Sequence, residues 1–203
     1  MIQKSRGEIL STFPEVERIG DGDLRDRVVK VWIRALEKSA WDDINRIPMS
    51  PGGPEKLEGF SLVDHTRCVT RTAMDLARNL VEIHHLSIDM DSVIAGAVLH
   101  DVGKPMLGRR EGDRVVISDE GRKLTHIMLG SALAMEEGLP LDIVHIIFAH
   151  TVPYVTAKQS VPPQTIEGVI VHYADFGSGD PIFFVGKVAL LCNPLAPMWS
   201  NVP

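Results

Sequence analysis

The segment Val93–Asp101, VIAGAVLHD, constrains the fold more than any other part of this 203-residue chain. Its first seven residues are apolar, and it ends in an adjacent histidine and aspartate. Such a segment is typical of a helix that is buried on most of its sides. Helical spacing places Asp101 on the same face as Ile94, Ala97 and Val98. A carboxylate on that face is costly unless it is paired or binds a metal ion.

Apolar residues recur at helical spacing in several other segments, which predicts an all-α domain with no parallel sheet. The VVI run within Leu107–Lys123 could form a short strand or hairpin. Asn45–Gly59 is rich in proline and glycine and is predicted to be a loop. The predicted helices are Leu24–Ala40, His65 to about Leu80, Val93–Asp101, Leu124–Glu137, Leu141–Ala149 and Ile166 to about Phe176.

The composition narrows the possible partners and compartment. A net charge of -6 argues against a nucleic-acid ligand held by bulk charge. Two cysteines make no disulfide framework and fit a reducing cytoplasm. The first residues lack the apolar core of a signal peptide, and no apolar run is long enough to span a membrane. We therefore expect a cytoplasmic protein without a membrane partner.

Five of the predicted helices carry a histidine or aspartate on or beside the face turned to the core. Imidazole and carboxylate ligands together suit divalent iron, manganese, zinc or nickel. The set therefore predicts a metal site rather than isolated core histidines. Its members are His65, His100, Asp101, His126, His150 and Asp175.

Other polar residues receive different interpretations. Lys104 follows Asp101 by three residues and could neutralise a phosphate oxygen above the same site. His145 is expected to point elsewhere, and His84 and His85 to lie on the surface. His172 shares a face with Asp175 and could be a ligand or a partner of one. Gly130, one turn after His126, would let another backbone approach closely.

The ordered set His65, His100–Asp101, His126, His150, Asp175 resembles the HD superfamily of metal-dependent phosphohydrolases. The resemblance covers about residues 61–180, with HDVGKP as the central His-Asp signature. It implies an all-helical bundle around the metal. One-metal members would use His65, His100, Asp101 and Asp175. Two-metal members add two histidines, at the positions of His126 and His150, with Asp101 bridging the ions.

Within the superfamily, the run from Leu124 to Thr151 followed by VHYAD is most similar to the two-metal branch that hydrolyses diadenosine tetraphosphate. The HDVGK motif also resembles cyclic-di-GMP phosphodiesterases. Thr151-Val152-Pro153 stands where those enzymes have a second histidine and their Gly-Tyr-Pro signature, which argues against that substrate.

The resemblance implies a metal-activated hydroxide that attacks a nucleotide or other phosphate ester, with Asp101 and Lys104 as catalytic residues. Two alternatives stay open. The same ligands serve mixed-valence di-iron oxygenases of the superfamily, and the chain could be a regulatory module with a structural metal. We expect residues 1–60 to extend the same domain, 61–180 to form the HD domain, and the tail, 181–203, to pack back on the bundle or dock a second copy as a homodimer.

Overall fold

The computed structural model describes residues 5–51, 57, 59–112, 114–151 and 161–187. Within these ranges the chain forms eight α-helices and one antiparallel hairpin, which confirms the predicted fold class. The helices are α1 (Arg6–Thr12), α2 (Gly22–Glu37), α3 (Leu62–His84), α4 (Met90–Leu99), α5 (Asp119–Lys123), α6 (His126–Glu136), α7 (Leu141–Ala149) and α8 (Ile166–Val185).

Short polar side chains begin most of the helices that form the site. Ser61, Thr125 and Thr165 accept a hydrogen bond from a backbone N–H in the first turn of α3, α6 and α8. Such caps satisfy donors that have no partner within the helix. Asp89 caps α4 by accepting a hydrogen bond from the Asp91 N–H, so this helix begins at Met90, three residues before the predicted start.

The core has two parts that meet at α4. One contains α1, α2, α6 and α7 packed against Val98 and Leu99, and the other contains α3, α8 and Ala97. Trp32 of α2 is fully buried, stacks on Phe13 with ring centroids 4.7 Å apart, and donates its indole N–H to the Val98 carbonyl at 3.2 Å. Helix α2 thus packs directly on the helix that precedes the His-Asp pair.

The charged segment after α4 contains the hairpin, in which β1 (Gly108–Glu111) pairs with β2 (Arg114–Ile117). The indole N–H of Trp41 donates to the Gly108 carbonyl at 2.9 Å and anchors the hairpin to the bundle. The short helix α5 follows, because Ser118 caps it by accepting from the Gly121 N–H. The sequence pattern did not predict this helix.

Helices α3 and α8 are longer than their apolar patterns indicated. Helix α3 runs to His84 and ends where His85 adopts a left-handed conformation, with φ of 57°. Helix α8 was expected to end near Phe176 but continues through Pro181 to Val185. It continues because Ser178 and Gly179 are buried, with the Ser178 hydroxyl 3.4 Å from that of Thr72 on α3. The packing outweighs the helix-breaking tendency of glycine and proline.

The described part of the chain contains no helix that meets the length and hydropathy of a membrane span. Most of the tail to which a homodimer contact was assigned lies outside the described residues, since the description ends at Lys187.

Candidate metal centre

Five helices bring the six predicted side chains to one place. His100 and Asp101 directly follow α4, and His150 directly follows α7. His126 is the first residue of α6, while α3 and α8 carry the other two. All except half-buried His126 are buried, and the six are His65, His100, Asp101, His126, His150 and Asp175.

The first donor cluster surrounds Oδ2 of Asp101. His65 Nε2 lies 3.3 Å from this oxygen, His100 Nε2 lies 3.2 Å from it, and the two nitrogens are 3.4 Å apart. Asp175 Oδ1 lies 3.1 Å from His65 Nε2 and 3.8 Å from His100 Nε2. Four donor atoms from three helical segments therefore face a common point.

The second donor cluster faces the other carboxylate oxygen, Oδ1 of Asp101. His126 Nε2 lies 3.5 Å from it and His150 Nε2 lies 3.6 Å from it. The two imidazole nitrogens are 3.4 Å apart. Asp101 thus presents one oxygen to each cluster, and each cluster contains three or more groups able to hold a metal ion.

These distances are those expected between two ligands of the same metal ion. Two ligands each about 2.1 Å from one ion, at tetrahedral or octahedral angles, are about 3.0–3.4 Å apart. The Nε2–Nε2 separations of 3.4 Å in both clusters match this range. The residues present therefore fit divalent metal ions.

Backbone hydrogen bonds aim two of the imidazole lone pairs at the clusters. His100 Nδ1 lies 2.6 Å from the Ala97 carbonyl, and His150 Nδ1 lies 2.8 Å from the Ile147 carbonyl. In a neutral ring the Nδ1–H donates to the carbonyl, so Nε2 is left as an acceptor. Each of these acceptor nitrogens faces an oxygen of the Asp101 carboxylate, which repels it, and a bound cation would remove this repulsion.

The pKa values of the two aspartates reflect burial beside positive and hydrogen-bonding groups. Burial alone would raise the pKa of Asp101, but Lys104 and His100 outweigh burial and hold that pKa well below its usual value. Burial likewise opposes ionisation of Asp175, and hydrogen bonding from His65 lowers its pKa. The carboxylates are therefore ionised at neutral pH, as metal ligands must be.

The pKa values of His126 and His65 shift in opposite directions. Burial lowers the pKa of His126 to about 3, despite the attraction of Asp101. For His65, burial lowers the pKa, but hydrogen bonds to Asp101 and Asp175 outweigh burial, so the pKa is raised. A neutral His126 keeps the lone pair of one ring nitrogen available to a metal ion.

Lys104 lies at the mouth of the site, as its spacing from Asp101 predicted. Its Nζ is 2.5 Å from Asp101 Oδ2, and its side chain is 17% exposed. The 3₁₀ turn Lys104–Met106 continues the chain from α4, which keeps the lysine over the carboxylate.

The remaining histidines lie apart from the two clusters. His145 accepts a hydrogen bond from the Gln164 backbone N–H at 2.9 Å, so it points elsewhere. His84 and His85 are exposed. The Nδ1 of His172 lies 2.6 Å from the His150 carbonyl, which makes it a partner of a candidate ligand's backbone rather than a member of either cluster.

A pocket of about 210 Å³ opens onto the donor atoms and Lys104. Its walls include residues that the sequence did not predict individually as site residues. Met49, Ser50 and Pro51 come from the predicted loop, and Phe183 comes from the unexpected last turns of α8. No local pattern marks such residues, because only the packing of distant segments brings them to the mouth. Leu107, Thr151 and Gly179 also line the pocket.

Comparison with known proteins agrees with this geometry. The profile of the HD domain matches residues 62–176. A dihydroneopterin 2',3'-cyclic phosphate phosphodiesterase of Methanocaldococcus jannaschii is 30% identical over 164 residues, which cover 78% of this chain and 64% of that protein. Ribonuclease Y of Acidothermus cellulolyticus is 30% identical over 154 residues, covering 72% of this chain and 27% of the ribonuclease.

Ribonuclease Y of Salinispora arenicola is 29% identical over 163 residues, covering 76% of this chain and 23% of the ribonuclease. The chain thus spans less than two thirds of the length of each of these relatives. No solved structure matches the chain significantly.

Proposed function

The chain belongs to the HD domain family, and we propose that it is a metal-dependent phosphohydrolase acting on a phosphate ester of a nucleotide or other small molecule. The observation that carries this proposal is the position of Asp101. One carboxylate oxygen lies 3.2 Å from His100 Nε2, and the other lies 3.6 Å from His150 Nε2. A carboxylate that faces two donor clusters in this way suits a bridging ligand between two ions.

We assign the ligands as two overlapping sets. His65, His100, Asp101 and Asp175 would hold one ion, and Asp101, His126 and His150 would hold the other. When bound, such ions stabilise charge on phosphoryl oxygens and lower the pKa of water. Nitrogen and oxygen donors accept iron, manganese, zinc or nickel, and we propose that the site holds one of these ions, with iron or manganese tested first.

Lys104 is proposed to contact the substrate rather than a metal ion. Its ammonium lies at the pocket mouth beside Asp101, so a phosphoryl group entering the pocket would meet a positive charge. An ammonium fixed before the reaction stabilises negative charge that develops on phosphoryl oxygens. Asp101 has a second role here, because its negative charge keeps Lys104 directed toward the site.

The pocket favours a compact substrate. Its volume of about 210 Å³ and the apolar side chains of Met49, Leu107 and Phe183 suit a small ring system that carries one phosphoryl group in the metal centre. The relative from Methanocaldococcus jannaschii is named for a cyclic phosphodiester of a pterin. We therefore propose a small phosphodiester, and a cyclic phosphate in particular, as the substrate class.

The test is hydrolysis by protein loaded separately with iron, manganese, zinc and nickel. The substrate panel contains a 2',3'-cyclic nucleotide, a linear dinucleotide, diadenosine tetraphosphate and a phosphomonoester. We expect turnover of the cyclic phosphate, lost in Asp101→Asn. Absence of hydrolysis with every metal and substrate would contradict the proposal, and dioxygen consumption by the iron-loaded sample would assign the site to oxygenase chemistry instead.

A further inference from the structure

A second cleft lies on another side of α3 and is independent of the proposed hydrolytic function. It has a volume of about 550 Å³ and shares no lining residue with the metal pocket over the described ranges. Three of its arginines, Arg67, Arg71 and Arg78, follow His65 by 2, 6 and 13 residues. At about 100° per residue they point at least about 120° away from His65 around the helix.

The cleft concentrates positive charge in a chain whose net charge is -6. Arg18, from the 3₁₀ turn Pro14–Arg18, joins the three arginines of α3. The cleft contains two carboxylates, Glu15 and Asp75, against four guanidinium groups. Two positive charges are therefore in excess.

Two of the arginines are already held in place. Arg67 Nη2 donates to Glu15 Oε1 at 3.2 Å, and Arg67 Nε lies 3.3 Å from both carboxylate oxygens. Glu15 is only 7% exposed, so this pair fixes the wall of the cleft. Arg78 Nη1 pairs with Asp75 Oδ1 at 3.0 Å.

Arg18 and Arg71 differ from the other two. Both are exposed, and neither guanidinium group forms an ion pair or hydrogen bond in the part of the chain that the structure describes. These two guanidinium groups supply the excess charge. A guanidinium presents planar, paired N–H donors that match the oxygens of a phosphate.

We propose that this cleft binds a small molecule with two or more adjacent phosphoryl groups, of the size of a nucleoside diphosphate. Two free arginines provide two phosphate contacts, and Pro14 with the 6% exposed part of Met74 provides a small apolar contact for the rest of the ligand. A volume of about 550 Å³ lies within the range of small-molecule sites. The acidic remainder of the chain disfavours a long polyanion such as RNA.

The probe for the first test is inorganic pyrophosphate. It is titrated by calorimetry into the full chain after treatment with a chelator, at low salt, so that metal ions do not hold the probe. We expect saturable binding with one equivalent per chain. The double variant R18A/R71A should weaken it at least tenfold, since two charge-assisted contacts are lost. R18K/R71K, which keeps the charge, should retain more affinity than the double alanine variant.

Two controls separate this site from the metal centre and from nonspecific charge effects. Lys30→Ala removes one exposed positive charge from α2 and should leave the affinity unchanged. Lys104→Ala should also leave it unchanged, whereas weaker binding in that variant would place the probe in the metal centre, where Lys104 is a cation that lines the pocket. The free energy of unfolding of R18A/R71A, measured in urea, should equal that of the wild type, because both side chains are exposed.

The proposal is overturned if pyrophosphate does not bind at millimolar concentration, or if R18A/R71A binds it as tightly as the wild type. Tighter binding of an octaribonucleotide than of a nucleoside diphosphate at this cleft would also overturn it, in favour of an RNA contact. Failure here leaves hydrolysis at the metal centre untouched, since no residue of the cleft belongs to that centre.

Discussion

Gly103 lies directly against the backbone of His126, with no space for a side chain between them. A Cβ at Gly103 would overlap the His126 carbonyl and lie 2.8 Å from the backbone nitrogen of Gly130. This contact holds the first turn of α6 against the segment that follows the His-Asp pair. The close backbone approach predicted at Gly130 is thus present, and Gly103 is its partner.

Gly103→Ala is therefore expected to push α6 away from Asp101. Overpacking of this kind costs about 1–3 kcal/mol of unfolding free energy, measured by urea denaturation. Gly177→Ala is the matched control, because a Cβ at Gly177 in helix α8 meets no atom within 4 Å. That variant should be neutral or more stable by up to about 1 kcal/mol. Equal stabilities of the two variants would contradict the proposed role of the contact.

Metal stoichiometry should distinguish the bridging carboxylate from ligands of a single ion. We expect His126→Ala to lose one of two bound equivalents and Asp101→Ala to lose both, since Asp101 is the one described residue that belongs to both clusters. Elemental analysis of gently purified protein measures the stoichiometry. Since His145 contacts Gln164 instead of either cluster, His145→Ala should keep both equivalents. A single equivalent in the wild type would contradict the two-ion assignment.

Lys104→Ala should reduce kcat for the cyclic phosphate by about 10²–10³-fold while the metal content stays unchanged, because a preorganised positive charge is removed from the developing phosphoryl charge. Lys104→Arg should recover part of the rate. Steady-state kinetics and elemental analysis on the same samples test this prediction. Metal loss in Lys104→Ala would instead show that the lysine acts by orienting Asp101.

Acid should destabilise the metal-free protein through His126. Its pKa is about 3 in the folded chain and about 6.5 when unfolded, so only the unfolded chain gains this proton between those pH values. The free energy of unfolding therefore falls as pH decreases through this window. The raised pKa of His65 acts in the opposite sense, since its contribution is present below pH 6.5 and is lost as pH rises.

Comparison with His126→Gln isolates the His126 contribution. Between pH 6.5 and 4.5 the wild type should lose up to about 2 kcal/mol more than the variant, because the carboxylates titrate alike in both proteins and cancel in the comparison. Denaturant unfolding in the presence of a chelator provides the measurement. Parallel stability profiles for the two proteins would show that His126 is not held neutral in the folded state.

The helices before Ser61 should be required for the stability of the His-Asp helix. Trp32→Phe removes the indole donor to the buried Val98 carbonyl, and we expect it to cost about 1–3 kcal/mol. Tyr173→Phe, at a side chain that is 64% exposed, is the control and should change stability little. Full stability of Trp32→Phe would argue that residues 1–60 are not part of the same folding unit.

The sequence was most informative where one helix controls both the burial and the spacing of its residues. The all-α fold and the ends of helix α7 followed from apolar periodicity, the VVI run indicated a possible hairpin, and the superfamily came from the resemblance of the ordered histidines and aspartates. It was less informative for the last turns of α8. There, Gly177 and Pro181 locally favour a helix end, and only packing against Thr72 of α3 overrides that preference.

The sequence by itself determined which side chains face the interior, because helical periodicity requires a polar residue on an apolar stripe to be buried. It could not determine the distances between those side chains, which depend on how five helices cross. Tertiary structure alone decided that one oxygen of Asp101 faces His65 and His100 while the other faces His126 and His150. It also decided that Arg18 and Arg71 share a cleft, since they come from separate elements that meet only in the folded chain.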